Sequence, residues 1–281
     1  HGRIVPAVFL RGAGMKRLAL IAALCLGAAG TQAAEVCTLV ADAHSGAVLF
    51  ERGDCDSRVT PASTFKVPLA LIGFQTGFLT DTQTPVLKPR KGDPDWGGDA
   101  WLQPTTPERW LKYSVVWYSQ RITRALGAEV LRDLALAYGY GNADFSGDAG
   151  YDNGLERAWI ASSLKVSPRE QVTFLRGLVT DTLPAAPRAM ALTREIVEAR
   201  TVGAWWVKGK TGTAFPRRAD RSFDRAAGWG WFVGWAQQGD RVLVFATLTQ
   251  ATKRQDGSPG NLTRDAFLKG WPDLAKTLPE G

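Results

Sequence analysis

The sequence predicts an α+β fold: an antiparallel β-sheet flanked by helices, built from the N- and C-terminal segments of the chain, with an all-helical lobe inserted over about residues 80–200. Three observations lead there. Strand-like apolar runs are confined to residues 36–51 and 204–249, the stretch between them carries helical periodicity, and a chain of 281 residues that is 45% hydrophobic can bury a large core. No repeat of fixed period and no low-complexity tract interrupts it, so one large domain or two intertwined lobes is expected.

The elements follow in order. Val36 to Ala41 and Ala47 to Glu51 read as two strands joined by the turn Ala43-His44-Ser45-Gly46. Ser63 to Phe74 reads as a helix entered through Pro61, with Pro68 early enough that its missing N–H costs little. Thr106-Pro107-Glu108 supplies an N-cap and a first-turn proline for a short helix ending near Ser114. Tyr118 to Leu126 and Ala128 to Tyr138 are helical by period and separated by Gly127. Ser167-Pro168-Arg169-Glu170 is a capping box opening a helix to Val179, and a further helix is expected over Ala185 to Arg200. Strands follow over Ala204 to Phe215, Gly228 to Ala236 and Arg241 to Thr249, the aromatic-rich Gly228–Trp235 run suiting a buried sheet. A helix over Leu262 to Leu278 ends the chain.

The first 34 residues carry a different signal. Met15-Lys16-Arg17, the apolar run to Leu26 and small residues through Ala34 form the three regions of a secretory signal peptide, with cleavage expected near Ala33 or Ala34. Residues 1–14 then lie upstream of the leader, and 35–281 form the folded, exported product. No later stretch has the ~18 unbroken apolar residues of a membrane span. Residues 1–34 hold Arg3, Arg11, Lys16 and Arg17 and no acid, so removing them from 34 basic and 27 acidic residues leaves 30 against 27. So small an excess gives no footprint for nucleic acid or an anionic membrane.

Cysteine and histidine narrow the chemistry. Cys37 and Cys55 remain beyond the leader, and the predicted hairpin brings their neighbourhoods together; a disulfide is expected, with two unpaired core thiols as the alternative. His1 aside, His44 is the sole histidine and falls in the hairpin turn, which argues against a Ser-His-Asp triad or a histidine-bound metal. No metal ligand set is found.

A base other than histidine is offered by Ser63-Thr64-Phe65-Lys66. Three residues apart at a helix start, hydroxyl and amine share a face, and the helix N-terminus presents backbone N–H groups to a developing oxyanion. The second S-x-x-K, Ser162 to Lys165, lies in an extended approach to the Ser167 capping box and reads as structural. About 145 residues after Lys66 comes Lys210-Thr211-Gly212-Thr213 in a predicted strand, where the glycine allows close backbone approach by a ligand and the lysine and threonine can hold a carboxylate.

In this order the motifs make the sequence resemble the penicillin-recognising serine enzymes and, within them, the class D (OXA-type) β-lactamases. That family's S-x-V, Y-G-N and loop tryptophan are matched by Ser114-Val115-Val116, Tyr140-Gly141-Asn142 and Trp159, and its carboxylate-binding arginine by Arg264. The resemblance implies a transpeptidase-like fold, a periplasmic location, β-lactams as small-molecule substrates, and a monomer or homodimer. It implies Ser63 as nucleophile and Lys66, carboxylated by CO2 or bicarbonate to N6-carboxylysine, as general base, with no other cofactor. Phe65, Val116, Trp159 and Leu164 would enclose that lysine, and the Trp159 indole would hydrogen-bond the carbamate. Ser114 would relay a proton and Lys210 adjust the local field. The backbone N–H groups of Ser63 and Thr213 would form the oxyanion hole, and Thr211, Lys210 and Arg264 would hold the substrate carboxylate. The S-D-N and glutamate of class A enzymes are missing. A DD-peptidase and a β-lactam sensor that acylates and stops are the alternatives. Substrate range is assigned to loop positions near 96–103 and 213–225.

Overall fold

The computed structural model describes residues 1–2 and 33–279; the expected leader lies outside them apart from Ala33 and Ala34. Six antiparallel strands form one sheet in the order β2-β1-β6-β5-β4-β3. They are β1 (Ala33–Asp42), β2 (Val48–Gly53), β3 (Ala199–Val202), β4 (Trp205–Ala214), β5 (Trp229–Gln238) and β6 (Arg241–Ala251). The N-terminal hairpin joins the C-terminal meander where β1 pairs with β6, from Ala33 opposite Ala251 to Asp42 opposite Leu243. The sheet is therefore built from the two ends of the chain, as expected.

Both faces of the central strands are apolar, because both are covered. Along β5, Trp231, Val233 and Trp235 enter one buried cluster, and Phe232 and Ala236 enter a second on the opposite face. β6 divides in the same way, with Val244, Ala246 and Leu248 on one side and Leu243 and Phe245 on the other. This period-2 division explains the unbroken apolar runs of these strands. The second cluster is closed by the C-terminal helix, and the first by the helical lobe.

Seven α-helices are found among the described residues: α1 (Lys66–Gln75), α2 (Pro107–Tyr113), α3 (Val116–Ala137), α4 (Gly154–Arg157), α5 (Pro168–Val179), α6 (Pro187–Ile196) and α7 (Pro259–Thr277). α1 is buried from Lys66 to Phe74, as a helix without a polar face must be. It packs against α2, α3 and α6, while α5 covers one sheet face and α7 the other. The capping box at Ser167 is formed in both directions, with the Glu170 N–H donating to Ser167 Oγ at 3.2 Å and the Ser167 N–H to Glu170 Oε2 at 2.9 Å. The Thr106 hydroxyl accepts from the Arg109 N–H at 3.2 Å and starts α2. Gly127, at φ 81 and ψ 163, breaks α3 where the sequence separates two helices.

Several boundaries depart from the sequence reading, β1 and α7 each beginning three residues early, at Ala33 and Pro259. The expected helix to Arg200 stops at Ile196, and residues 199–202 become β3, paired with β4 from Ala199 opposite Lys208 to Val202 opposite Trp205. Sheet pairing outweighs local helical periodicity here, because only the pairing satisfies the outer edge of β4. The expected helix from Ser63 begins instead as a 3-10 turn, Ala62–Phe65, with α1 following from Lys66.

Cys37 and Cys55, both buried, form a disulfide with a Cα–Cα distance of 5.1 Å. Gly53 delivers it: at φ 87, any Cβ there would lie 2.1 Å from the Val36 carbonyl oxygen, while Asp54 donates to that same oxygen at 2.7 Å. Replacing both cysteines by alanine should lower the unfolding free energy by ~3 kcal/mol for a loop of this size. Urea denaturation measures it, and a loss below ~1 kcal/mol would mean that the bridge adds little to stability.

Candidate active site

The tight turn that carries Ser63 is fixed from several sides. The Thr64 hydroxyl donates to the Pro61 carbonyl at 2.7 Å and accepts from Gln171 Nε2 at 2.8 Å. The Thr60 carbonyl accepts from the Trp231 indole at 2.9 Å, and the Thr60 hydroxyl donates to the Trp159 carbonyl at 2.9 Å. Ala62, immediately before Ser63, sits at φ 50, a left-handed conformation that costs energy in a residue with a Cβ. The turn also presses on β4: a Cβ on Gly212 would lie 2.9 Å from the Pro61 carbonyl oxygen and 3.0 Å from Thr64 Cγ2. The close approach expected at Gly212 is thus made by the chain's own Ser63 turn.

Lys66 lies directly behind Ser63 and is wholly buried. Its Nζ is 3.2 Å from Ser63 Oγ. No carboxylate forms an ion pair with it among the described residues. Burial, and secondarily repulsion from Lys210, hold the amine well below the usual lysine range. A neutral amine at hydrogen-bond distance from a hydroxyl can accept that hydroxyl's proton.

Lys210 forms the second centre. Its Nζ donates to Ser114 Oγ at 2.5 Å and to the Thr211 carbonyl at 2.9 Å. Burial brings its pKa down to about 7, opposed by the negative charge of Glu198 and reinforced by Arg264. Ser114 occupies the joint between α2 and α3 at φ 55, another left-handed residue with a side chain. Backbone strain of ~1–3 kcal/mol per such residue persists only where the surroundings impose it.

Trp159 is buried, its ring 5.5 Å from that of Phe65 beside Lys66. The indoles of Trp110, Trp117 and Trp231 each donate a hydrogen bond, but those of Trp159 and, beneath the opposite sheet face, Trp271 have no partner. An unpaired buried donor costs ~1–3 kcal/mol, so an acceptor beside it would be stabilised. Phe65, Val116 and Leu164 belong to the same buried cluster as Trp159. Burial of Lys66, its lowered affinity for a proton and an unpartnered indole N–H in the cluster that holds its neighbour Phe65 are features that would suit a small anion borne on that amine.

A cleft of about 940 Å³ opens over these centres. Ser63, Ser114, Lys210, Thr211, Thr213 and Arg264 line it. Lys66, Trp159, Val116 and Gly212 are buried beneath the wall, with Gly212 pressed against the Ser63 turn. The Thr213 hydroxyl is engaged with Ser258 Oγ at 2.6 Å and accepts the Gly260 N–H at 2.9 Å. Arg264 pairs with Asp265 at 2.8 Å and keeps one-fifth of its side chain exposed.

The remaining motifs act as scaffold. Tyr140 packs its ring against Phe65 and Phe174. Asn142 donates to the Ser163 carbonyl at 2.9 Å and accepts the Lys165 N–H at 2.8 Å, so Tyr140-Gly141-Asn142 pins the second S-x-x-K. In that copy Ser162 donates to Asp148 at 2.7 Å and Lys165 is exposed. His44 is exposed in the β1–β2 turn. Glu198 and Arg200, which also line the cleft, escape sequence reasoning because they fall in the stretch read as helix. Trp96, Trp101, Phe223 and Arg225 lie within the two loop ranges singled out for substrate range.

The family model of the penicillin-binding protein transpeptidase domain matches residues 36–267. β-Lactamase OXA-9 of Klebsiella pneumoniae is 37% identical over 241 residues, covering 85% of this chain and 87% of the relative. β-Lactamase OXA-1 of Escherichia coli is 34% identical over 220 residues, covering 76% of each. The crystal structure of OXA-427, a class D β-lactamase, superposes with a TM-score of 0.80 at 42% identity, over 88% of this chain and 100% of that one. Fold, order of motifs and similarity along most of the sequence agree: the chain belongs to the penicillin-binding transpeptidase-domain family and, within it, to the class D β-lactamases.

Proposed function

We propose that the protein hydrolyses the β-lactam ring of penicillin-type antibiotics through an acyl-enzyme on Ser63, and thereby confers antibiotic resistance. The observation that carries this reading is the buried Lys66 amine 3.2 Å from Ser63 Oγ, its affinity for a proton lowered by burial. A product released into the periplasm after removal of residues 15–34 accords with the leader pattern and with the Cys37–Cys55 bridge, since disulfides persist in oxidising compartments.

Acylation begins when the Ser63 hydroxyl loses its proton to the base behind it and Oγ attacks the lactam carbonyl. Backbone N–H groups of Ser63 and Thr213 receive the oxyanion, a contribution of ~3–4 kcal/mol where one such donor has been removed from other hydrolases. Ser114, bonded to Lys210, passes a proton to the departing lactam nitrogen. Thr211, Arg264 and the charged form of Lys210 hold the substrate carboxylate. Lys66 carboxylated by CO2, with release of a proton, supplies the general base for acylation and for the deacylating water. Trp159 contributes its free indole N–H to that group and, with Phe65, Val116 and Leu164, excludes bulk water.

Two measurements test this reading. Benzylpenicillin and oxacillin should be turned over continuously in a steady-state assay, and Ser63→Ala should abolish turnover; one burst of acylation that then stops would instead identify a β-lactam sensor. After acid decarboxylation, activity should be low and should return on adding bicarbonate. Trp159→Ala should raise the bicarbonate concentration needed for half-maximal recovery by about tenfold, the worth of one hydrogen bond to a charged group, while Lys165→Ala changes nothing. Full activity without bicarbonate would exclude carboxylated Lys66 as the base.

A further inference from the structure

Two loops meet at the mouth of the cleft. One, residues 144–164, contains α4 and Trp159. The other, residues 215–228, joins β4 to β5 and supplies Phe215, Phe223 and Arg225 to the cleft wall. This second loop stands off the sheet as a short antiparallel extension, closed by a bridge between Arg217 and Phe223. Its tip residue Arg221 has φ 67, so its path is not one that the backbone prefers by itself.

Between the loops lies Asp148, whose side chain is only 7% exposed. Its Oδ2 is 3.1 Å from Arg221 Nη2, 3.4 Å from Arg217 Nη2 and 3.7 Å from Arg157 Nε. Ser162 Oγ donates to Oδ1 at 2.7 Å, Asn153 Nδ2 to Oδ2 at 3.1 Å, and the Asp148 N–H to Asn153 Oδ1 at 2.9 Å. Aromatic rings flank the cluster: Phe223 receives Arg217 at 4.9 Å and Arg157 at 5.9 Å, and Tyr151 receives Arg221 at 4.1 Å. Burial alone would raise the Asp148 pKa, yet hydrogen bonds from Ser162 and Asn153 and attraction to Arg217 and Arg157 outweigh it and keep the carboxyl ionised.

The charge balance is unequal. One carboxylate faces three guanidinium groups, of which Arg217 and Arg221 come from the 215–228 loop and Arg157 from Asp148's own loop. Remove the negative charge and two part-buried cations, Arg157 and Arg217, and the more exposed Arg221 are left to repel one another across the junction. The loop's other ion-paired arginine, Arg218, adds no ion pair across the junction, since it pairs with Asp224 of the same loop.

We propose that Asp148 is a positioning residue that clamps the 215–228 loop against the 144–164 loop, fixes the cleft wall formed by Phe223 and Arg225, and so sets which substrate side chains fit. The clamp stands on geometry alone; the effect on substrate range rests on the β-lactam hydrolysis proposed above.

Asp148→Asn tests it, since it preserves size and removes the charge. Trypsin is a direct probe because Arg217, Arg218, Arg221 and Arg225 all lie in the clamped loop. Native-state digestion should cut the variant at Arg217, Arg218 and Arg225 about tenfold faster than the parent, in proportion to the open population. Arg221→Gln should speed cutting at those three sites in the parent but slow it in the Asp148→Asn background, where it relieves repulsion. A residue that merely filled space would give the same sign in both. In the same variant, KM for a β-lactam with a bulky side chain should change by about fivefold relative to benzylpenicillin, the scale of coupling between neighbouring groups.

An unchanged digestion rate in Asp148→Asn, or one sign for Arg221→Gln in both backgrounds, overturns the clamp. Faster digestion with an unchanged KM ratio overturns its role in substrate choice. Should Asp148→Asn not accumulate folded, Arg221→Gln alone decides, and no acceleration of cutting then refutes the clamp. Digestion reads the loop whether or not the protein hydrolyses β-lactams, so a failure of the clamp and a failure of the proposed function are told apart.

Discussion

The site depends on one constraint: the Lys66 amine is buried beside Ser63 without a carboxylate to balance it. A charged ammonium in that position costs several kcal/mol of desolvation with little returned, so the group's affinity for a proton falls. The position of Lys66 at the start of α1 follows from that helix being apolar all round and enclosed by α2, α3 and α6. The hydroxyl in front of it is held by a strained turn that could not persist without Thr60, Thr64 and Gln171 bonding around it. Chemical reactivity here is a result of packing.

The sheet supplies the rest. Pairing β1 with β6 closes the two chain ends into one layer, and the covered faces of β5 and β6 make it rigid. β4 then carries Lys210 and Thr211 along the edge against which the Ser63 turn is pressed, at the spacing that Gly212 permits. Two lysines thus share one low-dielectric region, and each depresses the other's affinity for a proton or is depressed by another cation nearby. Lys210, brought to about 7, can titrate near neutrality, whereas an ordinary lysine cannot. Glu198, on the approach to β3, opposes that shift, which gives the short edge strand a bearing on the chemistry.

Much of this was legible in the residues. The capping box at Ser167, the proline-led helix at Pro107, the break at Gly127 and the sheet made from both ends of the chain are local signals with local causes, and each is found where the sequence puts it. Ser63 with Lys66, and Ser114 with Lys210, were legible because short motifs in a set order restrict the chemistry. The region 197–202 was not, because helical periodicity runs on past Ile196 until pairing with β4 overrides it. Glu198 and Arg200 were hidden by the same misreading. The depth of Val116 and Gly212 in the packing was equally illegible, because their spacing marks only the motif.

The sequence by itself determined the class of fold, the order of the motifs and the residue types able to act as nucleophile and base, because each depends on patterns within a few residues or on composition. Tertiary structure alone decided that the buried indoles of Trp159 and Trp271 are left without an acceptor, and which loop Asp148 faces. Those properties arise from burial and from charges brought together across more than 60 residues of chain, as between Asp148 and Arg221. Desolvation and Coulomb interactions act through space, and spacing along the chain carries no record of them.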